Sequence, residues 1–194
     1  MSDFHTLQDW GNALFEGENV LLRELRDDDL PILTTWMNTS GNAIFQTYRV
    51  VKQPKALLDD LLKKEHRNDS AFACGYCITD KSGQLVGNFT LEAHAPMHHI
   101  FELGIMIGPD FQGKGFGFEA CQMALRLAFE EMRAYKVALK VWSFNDRAIR
   151  FYERLGFKEE GRLRAVAFHR SDYFDEVNMG MLASEYQALQ SPHE

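Results

Sequence analysis

Near the middle of the chain a strand, a glycine-rich turn and a helix start follow one another in the run Phe101-Glu102-Leu103-Gly104-Ile105-Met106-Ile107-Gly108-Pro109-Asp110-Phe111-Gln112-Gly113-Lys114-Gly115-Phe116-Gly117. Glycines allow several backbone N–H groups to converge, and a helix N-terminus adds partial positive charge, so the run reads as an anion site suited to a diphosphate. Lys114 adds a full charge at its rim. Gly108 to Lys114 also meets the G-x-x-x-x-G-K spacing of a P-loop. Against that reading, Gly115 stands where a Ser or Thr should hold magnesium, and the strand closes a meander instead of opening a βαβ unit. The dinucleotide pattern G-x-G-x-x-G fails, because the run is G-x-G-x-G. A tight turn with no ligand is the remaining reading.

A second block shifts the balance. Asn145-Asp146-Arg147-Ala148-Ile149-Arg150-Phe151-Tyr152-Glu153-Arg154-Leu155-Gly156-Phe157 follows a strand at Lys136 to Trp142. With both blocks present in this order, the chain resembles the GNAT superfamily of N-acetyltransferases. Gln112, Gly115 and Gly117 match that family's Q/R-x-x-G-x-G/A motif, and Asn145, Ala148, Tyr152, Gly156 and Phe157 match its N-x-x-A-x-x-x-Y-x-x-x-G-F block. The ending, Gly161 to Arg164 and then Tyr173 to Gly180, looks like the ribosomal-protein N-terminal (alanine) acetyltransferase branch. Small-molecule acetyltransferases such as spermidine acetylases share its character. Ser171-Asp172 departs from the glycine turn frequent in that branch.

The resemblance implies an acetyl-CoA co-substrate and direct attack by a primary amine, with no acyl-enzyme and no metal. The backbone of Ile105, Met106 and Ile107 would hold the pantetheine arm, and the amides of Gln112, Gly113, Lys114, Gly115, Phe116 and Gly117 would take the diphosphate. Asn145 would fix the cofactor arm or the start of a helix, the latter being its ordinary role as an N-cap. Tyr152 matches the family's general acid for the departing thiolate; a tyrosine on the apolar face of a helix is otherwise a core residue. Glu102 is set by strand alternation on the opposite face from Phe101, Leu103, Ile105 and Ile107, where it is either the base or a solvated carboxylate.

The elements that must carry these groups follow from periodicity. Val20 to Leu25 reads as a strand, and Asp27-Asp28-Asp29 as the acidic cap of a helix with Leu30, Leu33 and Met37 on one stripe. A helix after Pro54 should turn Leu57, Leu58, Leu61 and Leu62 inward. Phe72 to Ile78, Leu85 to Leu91 and His99 to Ile107 read as an antiparallel meander. Helical spacing returns from Gly115 to Met132 and from Asn145 to a stop at Gly156, and strands at Leu163 to Phe168 and Tyr173 to Leu182 finish the pattern. The fold class is therefore mixed α/β (α+β): a GNAT-like acyl-CoA N-acyltransferase fold, whose twisted, mostly antiparallel mixed sheet of about seven strands has helices on both faces. No linker or repeat divides the chain, so the reading is an arm at 1–17, an N-acetyltransferase domain at 18–184 and a tail at 185–194.

Composition narrows the partners. A balance of 21 basic against 28 acidic side chains, net −7, disfavours nucleic acid and anionic membranes. Three cysteines, Cys74, Cys77 and Cys121, and the absence of a signal-like start point to a cytoplasmic protein with free thiols. Cys74 and Cys77 should face opposite sides of one strand, which argues against a zinc pair. His94, His98 and His99 cluster before the central strand and read as loop-edge residues, while Trp36, Phe45 and Tyr48 lie where the family builds its acceptor wall, core packing being the equal alternative. The expected acceptor is a protein N-terminus or a small amine, including a polyamine or an antibiotic-type amine, and the assembly a monomer or homodimer. A non-catalytic acyl-CoA-binding module is the alternative from another class.

Overall fold

The computed structural model describes residues 4–46 and 51–190. Seven strands, β1 (Val20–Arg23), β2 (Ala73–Asp80), β3 (Leu85–Ala95), β4 (Ile100–Ile107), β5 (Lys136–Trp142), β6 (Lys158–His169) and β7 (Asp172–Leu182), form one sheet in the order β1-β2-β3-β4-β5-β7-β6. Every neighbouring pair is antiparallel except β4 and β5. The meander lies where alternation puts it, but β3 runs on to Ala95 and β6 begins at Lys158.

The helices are α1 (Phe4–Ala13), α2 (Leu30–Asn38), α3 (Ser40–Gln46), α4 (Lys55–Glu65), α5 (Phe116–Arg126), α6 (Asp146–Leu155) and α7 (Ala183–Gln190). They cover both faces of the sheet. On one face Ala120, Cys121 and Ala124 of α5 pack with Phe89, Phe101, Leu103, Val137 and Leu139. On the other, Leu30 and Leu33 of α2 and Leu62 of α4 pack with Cys77, Leu85 and Met106. Cys74 therefore enters the first core and Cys77 the second, as strand alternation requires.

Local expectations needed revision in four places. Of the four α4 leucines, only Leu58 and Leu62 are buried, at 1% exposure each, whereas Leu57 and Leu61 stand at 56% and 37%. Two leucines four residues apart suffice for the narrow contact of α4 with the sheet, each worth about 1.5–3 kcal/mol of burial. Asp27 to Asp29 is a 3-10 turn, and buried Asp29 takes a two-pronged hydrogen bond from Arg23 (2.6 and 2.8 Å). That pairing repays its desolvation and ties β1 to the entry of α2. α5 gives way at Leu127 to a π turn closed by Met132 N–H donating to the Leu127 carbonyl (3.0 Å), so regular helix stops short of Met132. Phe72 lies outside β2 and is exposed.

Candidate active site

β4 and β5 pair only at Ile100–Lys136, Phe101–Val137 and Glu102–Ala138. Beyond that rung β4 stays with β3 to Ile107 and β5 stays with β7 to Trp142, so the two parallel strands part and leave a wedge. The Gly108 N–H donates to the Val86 carbonyl (2.9 Å), which fixes the hydrogen-bonding parity of the ladder. Even-numbered residues of β4 turn their backbone to β3, and Leu103, Ile105 and Ile107 turn theirs to the wedge. Met106 is thus a correction to the expected set: its backbone faces β3 and its side chain is buried in the second core. Ile105 and Ile107 keep the expected orientation.

The glycine turn closes the wide end of the wedge. Gly113 (φ +77°) and Gly115 (φ +89°) hold the left-handed conformation that side-chain-bearing residues avoid, and this aims the turn into α5. Among the described residues, the backbone N–H groups of Gly113, Lys114, Gly115, Phe116 and Gly117 have no acceptor. A Cβ on Gly117 would lie 3.1 Å from Ile107 Cγ1, so its absence lets α5 sit against the end of β4. Lys114 Nζ lies 5.4 Å from the Phe111 ring centroid. Gln112 is committed elsewhere: its Nε2 donates to the Ile107 carbonyl (3.1 Å) and its Oε1 accepts from Arg147 Nη2 (2.6 Å). Its side chain therefore clasps β4, the turn and α6 together, and only its backbone is left for a ligand. Arg147 was overlooked in the sequence, where it is one of three arginines in the block.

Asn145 caps α6, its Oδ1 accepting from the Ala148 N–H (3.2 Å). Gly156 ends the same helix at φ +101°. Between them Tyr152 lies beside Phe151 and Phe157 (ring centroids 5.1 and 5.8 Å). Burial, and the neighbouring Cys121, push its phenol well above the usual tyrosine range. No hydrogen-bonding group of the described residues reaches its hydroxyl. Phe118 of α5 meets Phe151 edge-on at 6.1 Å, so the helix bearing Tyr152 packs on the helix that begins at the turn.

Carboxylates gather at the closed end of the wedge, where Glu102 forms the last rung between β4 and β5. Glu102 lies opposite Glu92 across the β3–β4 ladder, and Glu65 at the end of α4 is held above the usual carboxyl range by burial and by the charge of Glu92. Glu102 Oε2 accepts from Lys140 Nζ at 2.9 Å and lies 4.0 Å from His94 Nδ1. Glu92 and Lys140 went unnoticed in the sequence, since only the strand register brings them to Glu102. His98 ends a short 3-10 turn and His99 is left-handed (φ +52°), the geometry of a loop edge. No group of three or more potential metal ligands occurs among the described residues. Trp36 packs on Gly108 and meets the Phe111 ring at 6.1 Å, and Phe45 meets Phe144 at 5.8 Å, so both aromatics pack on residues next to the ends of β4 and β5. Tyr48 lies outside the described residues.

A sheet that opens between two parallel strands, with a row of amides at the opening, defines an acyl-CoA-binding fold. Residues 19–158 match the Acetyltransferase (GNAT) domain family, and the chain belongs to that family. It is 31% identical over 167 residues to the spermidine N(1)-acetyltransferase of Vibrio cholerae, covering 85% of this chain and 94% of that protein. A crystal structure of spermidine N-acetyltransferase from Vibrio cholerae in complex with CoA and spermine superposes with a TM-score of 0.78 at 28% identity, covering 88% of this chain and 99% of that one. The [ribosomal protein uS5]-alanine N-acetyltransferase of Escherichia coli is 30% identical over 102 residues, 52% of each chain, so the ribosomal branch is matched only in part. The protein is an acetyl-CoA-dependent N-acetyltransferase. The wedge fits an extended pantetheine arm, and the free amide row fits a diphosphate.

Proposed function

We propose that the enzyme acetylates a small, positively charged amine of the polyamine class, by direct attack within a ternary complex. The carrying observation is the juxtaposition of the wedge, its amide row and the carboxylates Glu65, Glu92 and Glu102 on the acceptor side. A net charge of −7 and the near full-length match to spermidine acetyltransferases support the same reading. The catalytic unit spans 18–184, with α1 and most of α7 as flanking elements.

In this reading the backbone of Ile105 and Ile107 aligns the pantetheine arm, and a wedge-facing N–H polarises the thioester carbonyl as charge develops on its oxygen. The N–H groups from Gln112 to Gly117 hold the diphosphate with the N-terminus of α5. The Asn145 side-chain amide, its Oδ1 already used as a cap, offers N–H to the arm. Glu102 removes the acceptor's proton. The nitrogen attacks the carbonyl carbon, the C–S bond breaks, the Tyr152 phenol protonates the leaving sulfur, and the second proton shed by the acylated nitrogen restores the phenol. Retention of Tyr152 beside an intact amide row speaks against a non-catalytic binding module.

The test is thiol release from acetyl-CoA over monoamines, diamines, polyamines and N-terminal peptides. kcat/KM should rise with the number of ammonium groups. A clear preference for peptides would move the acceptor to protein N-termini, and no turnover with any amine would restore the binding-module alternative.

A further inference from the structure

Lys140 is the first outward-facing residue of β5 after the strands part. Had the Glu102–Ala138 register continued, it would face Gly104, which places no side chain on the floor of the wedge. A Cβ on Gly104 would come 3.0 Å from Thr90 Oγ1, so this floor stays bare. The Lys140 chain folds back over it, and Nζ donates to Glu102 Oε2 at 2.9 Å, the two side chains being 42% and 37% exposed. A primary ammonium thus sits on the proposed base at the narrow end of the wedge. An arm lying along Leu103 to Ile107 delivers its thioester to that end. In charge, donor count and shape, the Lys140 headgroup is equivalent to one end of an alkyl diamine.

We propose that Lys140 occupies the acceptor-nitrogen subsite as a tethered ammonium, which an incoming amine must displace from Glu102. The inference rests on the reading of Glu102 as the acceptor's partner. Exchange of one ammonium for another keeps the Glu102 carboxylate oriented until it takes the acceptor's proton, and among the described residues His94 and Glu92 of β3 also lie beside it. Lys140 then acts as a built-in competitor that weakens acceptor binding and selects for amines able to bring their own charge.

The experiment is steady-state kinetics of Lys140→Met and Lys140→Arg with the amine that turns over best. Lys140→Met should lower the acceptor KM by about two- to fivefold, the range a part-exposed ion pair supports, with the acetyl-CoA KM unchanged. Lys140→Arg keeps a cation on Glu102 and should not lower the acceptor KM. In a Glu102→Gln background, where the base is lost, Lys140→Met should no longer shift the affinity for the amine in a calorimetric titration of the CoA complex; should Lys140→Met fail to fold, Lys140→Gln carries the same expectation. An acceptor KM that rises or stays put in the folded variant overturns the inference. Absence of turnover in the wild type would instead overturn the acetylation reading on which it rests.

Discussion

At Gly113 to Gly117 the groups offered to a ligand are peptide N–H groups held by two left-handed glycines, whereas Glu102, Glu92 and Glu65 offer carboxylates from three separate elements. In the proposed reading, the coenzyme side of the wedge is made of main chain and the acceptor side of side chains. A backbone site can be lost only by changing the fold locally, so it tolerates most substitutions of residue type. A side-chain site can be retuned one residue at a time. The acceptor should therefore be the variable half of the reaction and the coenzyme the fixed half.

Five substitutions sharpen or break that contrast. Tyr152→Phe should have the largest effect, a fall in kcat of at least about 10²-fold, with acetyl-CoA affinity unchanged in a calorimetric titration. Because the phenol is shifted upward, its titration should not bend the wild-type kcat profile below pH ~10, the ordinary tyrosine value. A full-rate variant would remove Tyr152 from the chemistry. Leu62→Ala should cost about 2–5 kcal/mol in chemical denaturation, while Leu61→Ala on the exposed side of the same helix should stay within ~0.5 kcal/mol. Equal losses would mean that α4 is seated differently over the acceptor side. Gly115→Val should weaken acetyl-CoA binding about tenfold, since a left-handed residue with a Cβ costs about 1–2 kcal/mol. The acceptor KM should hardly move, and a change confined to the acceptor would contradict the division of labour. Asn145→Ala should be the mildest, costing about 1 kcal/mol of stability as a lost helix cap. A larger effect on acetyl-CoA KM than on the thermal midpoint would show that its amide also holds the coenzyme.

The same contrast governs what could be read from the sequence. Gly115, Gly117, Asn145 and Gly156 announce themselves because each satisfies a backbone demand that few residue types meet, at a position defined by its immediate neighbours. Strand alternation likewise separated Cys74 from Cys77 and put Glu102 on the face of β4 opposite Phe101 and Leu103. The acceptor half needs long-range register, and a single sequence does not contain it. Nothing local says that Glu92 lies opposite Glu102, or that Lys140 reaches back to it across the wedge. Four leucines in α4 fit a helical stripe, yet which two face inward depends on how the helix lands on the sheet. α3 went unread because Ser40-Gly41-Asn42 is poor helix sequence. The β6–β7 turn is another such case. Arg170 and Ser171 both take positive φ (+51° and +66°), a hairpin geometry that usually asks for Gly or Asn.

The three thiols bear on how this enzyme can be assayed. Cys74, Cys77 and Cys121 are all buried and unbridged, and burial lifts each to about 12. Thiolate is the reactive species, so a disulfide reagent added to score liberated CoA should see almost none of the protein's own sulfur while the chain is folded. Denaturation should then appear in the same cuvette as a late rise of three equivalents per chain, giving turnover and integrity from one trace.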